Sequence, residues 1–118
     1  GAASDSGTEA AADVSREGGE LGEGSTQFSL TVTDKDGNET QFEIHTDKET
    51  VGEALLELNL IAGDESEYGL FVKTVNGITA DYDTDGVYWA FYVNGEYASA
   101  GVDATPVTEG DSYALKVE

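Results

Sequence analysis

The chain has 118 residues and a formal net charge of −20, because 25 Asp and Glu residues face five Lys and Arg residues. This length accommodates one domain with a modest core and at most a tail. So few cations cannot make the counterion-releasing contacts that phosphate binding needs, so nucleic acids and anionic membranes are not expected as partners. The absence of Cys excludes disulfides and zinc–thiolate sites, and no apolar run reaches the ~20 residues that span a bilayer.

Residues 1–25 have the composition of a tether. Only Val14 and Leu21 are larger apolar residues among Gly, Ala, Ser and acids. Such a segment buries too little apolar surface to offset its ordering entropy. We therefore expect disorder over 1–25, with a short helix around residues 9–17 as the alternative, and a single domain over 26–118. The tether would follow a removed secretion signal or lipid anchor, which predicts a secreted or lipid-anchored cell-surface protein.

Alternation of apolar and polar residues predicts strands at 28–32 and 42–44, joined by an Asp-Gly turn at 34–38. Further strands are predicted at 70–75, 87–93 and 113–117, the first two of which end at Asn-Gly turns.

One helix follows the first hairpin. Thr50 can cap its first turn while Glu53 reaches back, apolar residues then recur at helical spacing, and the helix should end near Asn59. The order of hairpin, helix and three strands predicts an α+β, β-grasp-like fold. This fold is a mixed sheet of about five strands, its first and last strands are neighbours, and the single helix crosses one face and leaves the other open.

The segment 88–97 carries the only Trp and three of the six Tyr residues. Along this strand Trp89 and Phe91 fall on one face, whereas Tyr88 and Tyr92 fall on the other. The interpretation we favour for Trp89 is a core residue under the helix, with the tyrosines on the open face, where Phe71 would join them. Exposed rings suit a planar ligand or a protein contact, although strand propensity alone also explains them. The candidate ligand-binding residues are Phe71, Tyr88, Trp89, Phe91, Tyr92 and Tyr97.

Three acids, Asp81, Asp83 and Asp85, alternate as in the first half of a calcium loop. The EF-hand pattern then needs Glu where this chain has Tyr92, so we favour an acidic turn over weak calcium binding and expect no metal cofactor. The acids of the turn at 34–38 are likewise assigned to a hairpin.

An enzyme is not expected. His45 is the only His, it lies at a predicted strand end, and no GxSxG motif accompanies it. A hydrolase would need a carboxyl group in an apolar pocket, yet most acids here lie in polar loops. A hydrolase that uses two of these acids is the weakest alternative.

A series of short motifs resembles a known family. The series consists of Thr50-Val51-Gly52-Glu53-Ala54-Leu55, Tyr68-Gly69-Leu70-Phe71-Val72, Val75-Asn76-Gly77-Ile78, Tyr88-Trp89, Gly101-Val102-Asp103 and Gly110-Asp111. In this order the motifs resemble the C-terminal β-domain of the cobalamin carriers intrinsic factor and transcobalamin. They are similar, too, to bacterial surface modules called transcobalamin-like C-terminal domains, or DUF4430.

The resemblance implies a β-grasp-like fold, export to the cell surface and binding of a corrinoid or another flat ligand. The positions that match the ligand-facing part of the carriers are Phe91 and the turn at 94–98, with Tyr97 at its tip. In the carriers a larger helical domain covers the other side of the ligand, so a partner domain would complete the site here.

These observations together predict a non-enzymatic, cell-surface or secreted module that recognises a small flat ligand such as cobalamin. The alternative is a structural or adhesive module that contacts an envelope protein.

Overall fold

A computed structural model describes residues 18–67 and 69–118, so most of the predicted tether and Tyr68 of the family motifs lie outside the described residues. The elements in chain order are β1 (Gly19–Gly22), β2 (Thr26–Thr33), β3 (Glu39–Thr46), α1 (Val51–Glu57), β4 (Ile61–Ser66), β5 (Gly69–Val75), β6 (Ile78–Thr79), α2 (Tyr82–Asp85), β7 (Trp89–Val93), β8 (Glu96–Tyr97), a 3₁₀ helix (Val102–Ala104) and β9 (Ser112–Val117). No helix in these two stretches is long and apolar enough to cross a bilayer.

Six strands form a mixed sheet in the spatial order β1-β3-β2-β9-β7-β8. Strands β2 and β9 lie side by side and run parallel, while β3 and β7 flank them in antiparallel pairs. The predicted adjacency of the first and last predicted strands is therefore observed. The fold contains both sheet and helix, as expected for an α+β protein.

A second sheet of three strands, in the order β4-β5-β6, was not predicted. The prediction placed about five strands in one sheet, but strand β5 instead pairs with β4 and β6. Strand β4 has no apolar alternation, since Ile61 is buried and its last four residues are exposed. Its strand conformation comes from pairing with β5, across a bulge between Ala62 and Gly63.

The core lies against one face of the six-stranded sheet, covered by both α1 and the three-stranded sheet. Alternate side chains of β2, β3, β7 and β9 point into it, together with Leu55 of α1 and Val75 of β5. The indole Nε1 of Trp89 donates a hydrogen bond to the carbonyl of Lys73 (3.2 Å) and so ties β7 to β5. The covering layer is thus wider than the single crossing helix that was predicted.

Residues 19–22 of the predicted tether form strand β1. Strand β1 pairs in parallel with β3, and the half-buried Leu21 packs against the core. Gly22, at φ +82°, lies so close to the His45 carbonyl that an added Cβ would be 2.3 Å from its oxygen. The Gly-rich composition that predicted disorder is what lets the backbone approach the edge of β3.

The predicted Thr50 cap and the two Asn-Gly turns are observed. The Thr50 hydroxyl accepts a hydrogen bond from the Glu53 amide (3.2 Å), and α1 ends at Glu57 with the following Asn59 in the left-handed region. Both Asn-Gly turns have positive φ at both residues, which matches the twist of tight hairpins.

Candidate functional site

Strand β7 divides its rings between the two faces of the sheet. Trp89 and Phe91 are only 6% and 9% exposed, and the Phe91 ring stacks on Tyr113 at 6.1 Å. Trp89 is therefore a core residue, as predicted, and its indole contacts β5 of the three-stranded sheet through the Lys73 carbonyl. Neither ring presents much surface to a ligand, although both are candidate ligand-binding residues.

The other face carries a tyrosine cluster, which we define as Tyr88, Tyr92, Tyr97 and Glu118. Tyr92 and Tyr97 are register partners across the β7–β8 hairpin, and their rings are perpendicular, with centroids 5.5 Å apart. The Tyr88 and Tyr97 hydroxyl groups are hydrogen-bonded (3.2 Å), and the Tyr92 hydroxyl donates to the Glu118 carboxylate. The expected placement of Tyr88 and Tyr92 away from the core is thus observed.

Hydrogen bonds favour the protonated form of two phenols, those of Tyr88 and Tyr92. The bond to Tyr97, together with burial and the nearby Glu118 charge, raises the pKa of Tyr88 to about 12. The bond to Glu118 raises the pKa of Tyr92 above its ordinary value. Both phenols therefore stay neutral hydrogen-bonding groups throughout the physiological range.

Phe71 does not join the tyrosine cluster. It lies on β5 in the three-stranded sheet, where its exposed ring is 5.8 Å from the Lys73 ammonium. The same ammonium forms an ion pair with Asp64 (2.9 Å), which raises the pKa of Lys73. The expectation that Phe71 shares a sheet face with Tyr88 and Tyr92 is therefore wrong, because β5 belongs to a different sheet.

An open cavity of about 550 Å³ lies beside the turn that joins β7 to β8. Its lining residues are Val93, Asn94, Glu96, Tyr97, Ala98, Ser99, Ala100, Ala104, Thr105 and Pro106. One wall is thus the Asn94–Ala98 turn, the segment that the family resemblance assigns to ligand contact. We call this space the turn cavity.

Mostly small side chains line the turn cavity, so a ligand there would approach the backbone closely. Its volume falls in the usual range for small-molecule sites, roughly 300–1,000 Å³. Glu96 is the only charged residue of the lining. This composition suits an uncharged or weakly charged ligand.

Tyr113 holds the second wall of the turn cavity in place. Its ring is buried in the core, while its hydroxyl donates to the Pro106 carbonyl (3.1 Å) and accepts from the Thr108 amide (3.2 Å). Neither this role nor the lining residues at 99, 100 and 104–106 were predicted, because this segment has no periodic apolar pattern. Its local signals are Pro106 and the family motif Gly101-Val102-Asp103.

Several family motifs meet at a structural joint rather than at the turn cavity. The Asp103 carboxylate accepts a hydrogen bond from the Leu70 amide (3.0 Å). A Cβ added to Gly69 would lie 2.7 Å from that carboxylate, and one added to Gly52 would lie 2.9 Å from the Asp103 Cα. These glycines are therefore needed for the close approach of α1, β5 and the 3₁₀ helix.

The calcium candidates Asp81, Asp83 and Asp85 do not form a set of ligands. Asp81 caps the short helix α2 by accepting from the Asp83 amide (3.1 Å), and Asp85 accepts from the Asp81 amide (3.1 Å). In the two described stretches, no group of three or more acids, His or Cys could hold a metal ion. The acids instead shape the turn.

The other singled-out polar residues have structural contacts. His45 lies on β3 with its Nε2 3.7 Å from the Glu20 carboxylate of β1. In the 34–38 hairpin, Asp34 accepts from the Asn38 and Asp36 amides (both 2.9 Å), which lowers the pKa of its carboxyl group. The assignment of these acids to a hairpin is confirmed.

Comparison with known proteins identifies the fold and the family. A crystal structure of a protein from Ruminococcus gnavus ATCC 29149, for which metal binding has been suggested, is 37% identical, has a TM-score of 0.75 and aligns over 80% of this chain and 97% of its own. Haptocorrin in complex with Cbi is 17% identical with a TM-score of 0.58, over 79% of this chain and 25% of haptocorrin, so it shares the fold. No curated protein sequence matches the chain. Residues 48–118 match the family described as Domain of unknown function (DUF4430), and the chain belongs to that family.

Proposed function

We propose that the chain is a non-enzymatic ligand-binding module that uses the turn cavity, and that its ligand is a corrinoid. The observation that carries the proposal is the coincidence of two independent indications. The family resemblance assigns ligand contact to residues 94–98, and that same turn forms one wall of the turn cavity. The fold that the chain shares with haptocorrin, which was solved with Cbi, supports this choice of ligand class.

The dimensions of the turn cavity suit one edge of such a ligand rather than all of it. The space is open to solvent and holds about 550 Å³, whereas tight sites bury most of a ligand's surface. The rest of the corrinoid would be covered by a partner domain. On its own the chain should therefore bind weakly, with a dissociation constant of ~0.01–1 mM.

The proposed function also includes a fold class and a cellular location. A β-grasp classification is supported by the parallel pairing of β2 with β9 and by the position of α1 on the core side of the sheet. A cell-surface or secreted location is supported by the tether-like composition of segment 1–25, which is rich in Gly, Ala, Ser and acids.

Equilibrium dialysis against cobinamide, with the corrinoid followed by its visible absorbance, tests the proposal. The Ala100→Trp variant places a large side chain on an exposed part of the turn cavity lining and should reduce binding at least about tenfold. Thr84→Trp, on the exposed helix α2 and not part of the lining, is the matched control and should bind like the parent chain. No retained corrinoid at about 1 mM, or equal binding by Ala100→Trp, contradicts the proposal.

A further inference from the structure

The tyrosine cluster is separate from the core and from most of the turn cavity. Tyr97 belongs to the tyrosine cluster and also lines the turn cavity, whereas Tyr88, Tyr92 and Glu118 are absent from the turn cavity lining. Ala90 of β7 lies between Tyr88 and Tyr92 on the same face and is only 1% exposed, so neighbouring side chains cover it. The tyrosine cluster therefore places its rings above the small side chain of Ala90, and Tyr97 is the most exposed of the three rings, at 61%.

We propose that the tyrosine cluster binds the quaternary ammonium group of a small soluble organic cation. The face of an aromatic ring attracts cations through its quadrupole. A trimethylammonium group suits such a site because it is broad, apolar at its surface and unable to donate hydrogen bonds. The rings of Tyr92 and Tyr97 are in edge-to-face contact at 89°, and the Tyr97 ring is 61% exposed, so most of its surface is open to such a group.

Charge complementarity favours a cation at this place over a neutral ligand. The Glu118 carboxylate is held in the tyrosine cluster by the Tyr92 hydroxyl. The whole chain carries a net charge of −20, which adds a negative potential over its surface. Raised pKa values keep the phenols of Tyr88 and Tyr92 neutral, so their rings act as cation–π partners while Glu118 supplies the charge.

Lys116 is the nearby cation that opposes a bound cation. It lies opposite Ala90 in the β9–β7 register, it alternates with the buried Val117, and its side chain is exposed. Its ammonium group competes electrostatically with a bound cation. Removal of this charge should therefore tighten binding, which a purely structural role for the tyrosine cluster would not produce.

The test follows the methyl signal of choline by NMR, because ring currents shift methyl protons that lie against aromatic faces. Choline should bind with a dissociation constant of ~1–10 mM. Its neutral isostere 3,3-dimethylbutan-1-ol, which has the same shape without the charge, should bind at least about tenfold more weakly. All samples are held at one ionic strength with sodium chloride.

Variants test three contributions to choline binding separately, namely the Tyr97 ring, the charges of Glu118 and Lys116, and the integrity of the fold. Tyr97→Leu should weaken choline binding about tenfold, Tyr97→Phe should retain it, and Tyr82→Leu is the matched control, since Tyr82 is also 61% exposed but lies on α2. Glu118→Gln should weaken binding, and Lys116→Gln should strengthen it. These last two residues do not line the turn cavity, so neither change should alter cobinamide binding.

The outcomes decide the proposal. A choline site that is lost in Tyr97→Leu, kept in Tyr82→Leu and tightened in Lys116→Gln supports it. No ring-current shift up to about 50 mM choline overturns it. Equal binding of 3,3-dimethylbutan-1-ol overturns it as well, since the tyrosine cluster would then be a general apolar platform.

Discussion

At the scale of single residues, the hydrogen-bonded hydroxyl group of Tyr88 makes the stability of the folded chain depend on pH. Its pKa rises to about 12 through the hydrogen bond with Tyr97, burial and the charge of Glu118, while an unperturbed phenol titrates near pH ~10. Because the pKa in the folded state is the higher one, the stabilising contribution is complete below about pH 10. It is lost as the pH rises towards about 12.

We therefore expect the free energy of unfolding to fall between about pH 10 and 12, with part of the phenolate absorbance appearing late in this window. Urea unfolding at each pH and ultraviolet absorbance of the folded chain measure the two effects. Tyr88→Phe should reduce the late-titrating component, to which Tyr92 and the buried Tyr113 also contribute because their pKa values are raised as well. Tyr82→Phe, outside the tyrosine cluster, is the control. Ionisation of every tyrosine near pH ~10 in the folded chain would contradict the assignment.

At the scale of elements, helix propensity and packing have opposite preferences at Gly52, where α1 meets the 3₁₀ helix. Ala is favoured over Gly in a helix by ~1 kcal/mol. However, a Cβ on Gly52 would lie 2.9 Å from the Cα and 3.0 Å from the amide nitrogen of Asp103, so backbone would have to move. Overpacking of this kind costs ~1–3 kcal/mol. The cost of overpacking should exceed the gain in helix propensity, so Gly52→Ala should lower the free energy of unfolding by about 1 kcal/mol.

Chemical denaturation measures this change, with Glu57→Ala on the exposed end of the same helix as the control. That substitution should stay within ~0.5 kcal/mol of the parent chain. If Gly52→Ala stabilised the protein, helix propensity would have outweighed the contact with Asp103, and the joint would be looser than the structure indicates.

Strand β1 offers a matched pair of glycines. Gly19 and Gly22 both have positive φ, so alanine is strained at either position, but only a Cβ on Gly22 would meet the His45 carbonyl oxygen, at 2.3 Å. Gly22→Ala should therefore destabilise the chain by ~1–3 kcal/mol more than Gly19→Ala. It should also raise amide hydrogen exchange along β3. Equal exchange in the two variants would show that β1 pairing does not depend on this close approach.

The elements differ in how far local sequence determines them. Alternation at 28–32 and the Thr50 cap were sufficient to predict β2 and the start of α1, because the apolar period and the capping hydroxyl act locally. Strands β1 and β4 have no such period, and they form only because an edge of a neighbouring strand is available. The same limit applies to the candidate site. Alternation assigned the rings of β7 to the correct faces, but the loop wall of the turn cavity depends on the tertiary contact of Tyr113 with Pro106.

At the scale of the whole molecule, the excess of acids is the dominant electrostatic feature. A net charge of −20 on 118 residues produces self-repulsion that disfavours the compact state. The ion pairs that salt would weaken are exposed or half-buried, such as Lys48 with Glu57 and Lys73 with Asp64, and such solvent-accessible pairs contribute only ~0–1 kcal/mol each. Screening of repulsion should therefore exceed screening of attraction.

We expect the melting temperature to rise with sodium chloride, mostly below about 0.2 M, because the Debye length falls from ~30 Å at 0.01 M to ~8 Å at 0.15 M. A gain of ~1 kcal/mol corresponds to ~4–8 °C for a domain of this size. Thermal unfolding followed by circular dichroism across a salt series measures the effect. Glu23, Glu65 and Glu109 are all exposed. A variant in which Gln replaces all three should have a higher melting temperature at low salt, and its melting temperature should rise less as salt is added. A rise that continues linearly to molar salt would indicate exclusion of salt from the protein surface rather than screening, and a fall would mean that the ion pairs matter more than the repulsion.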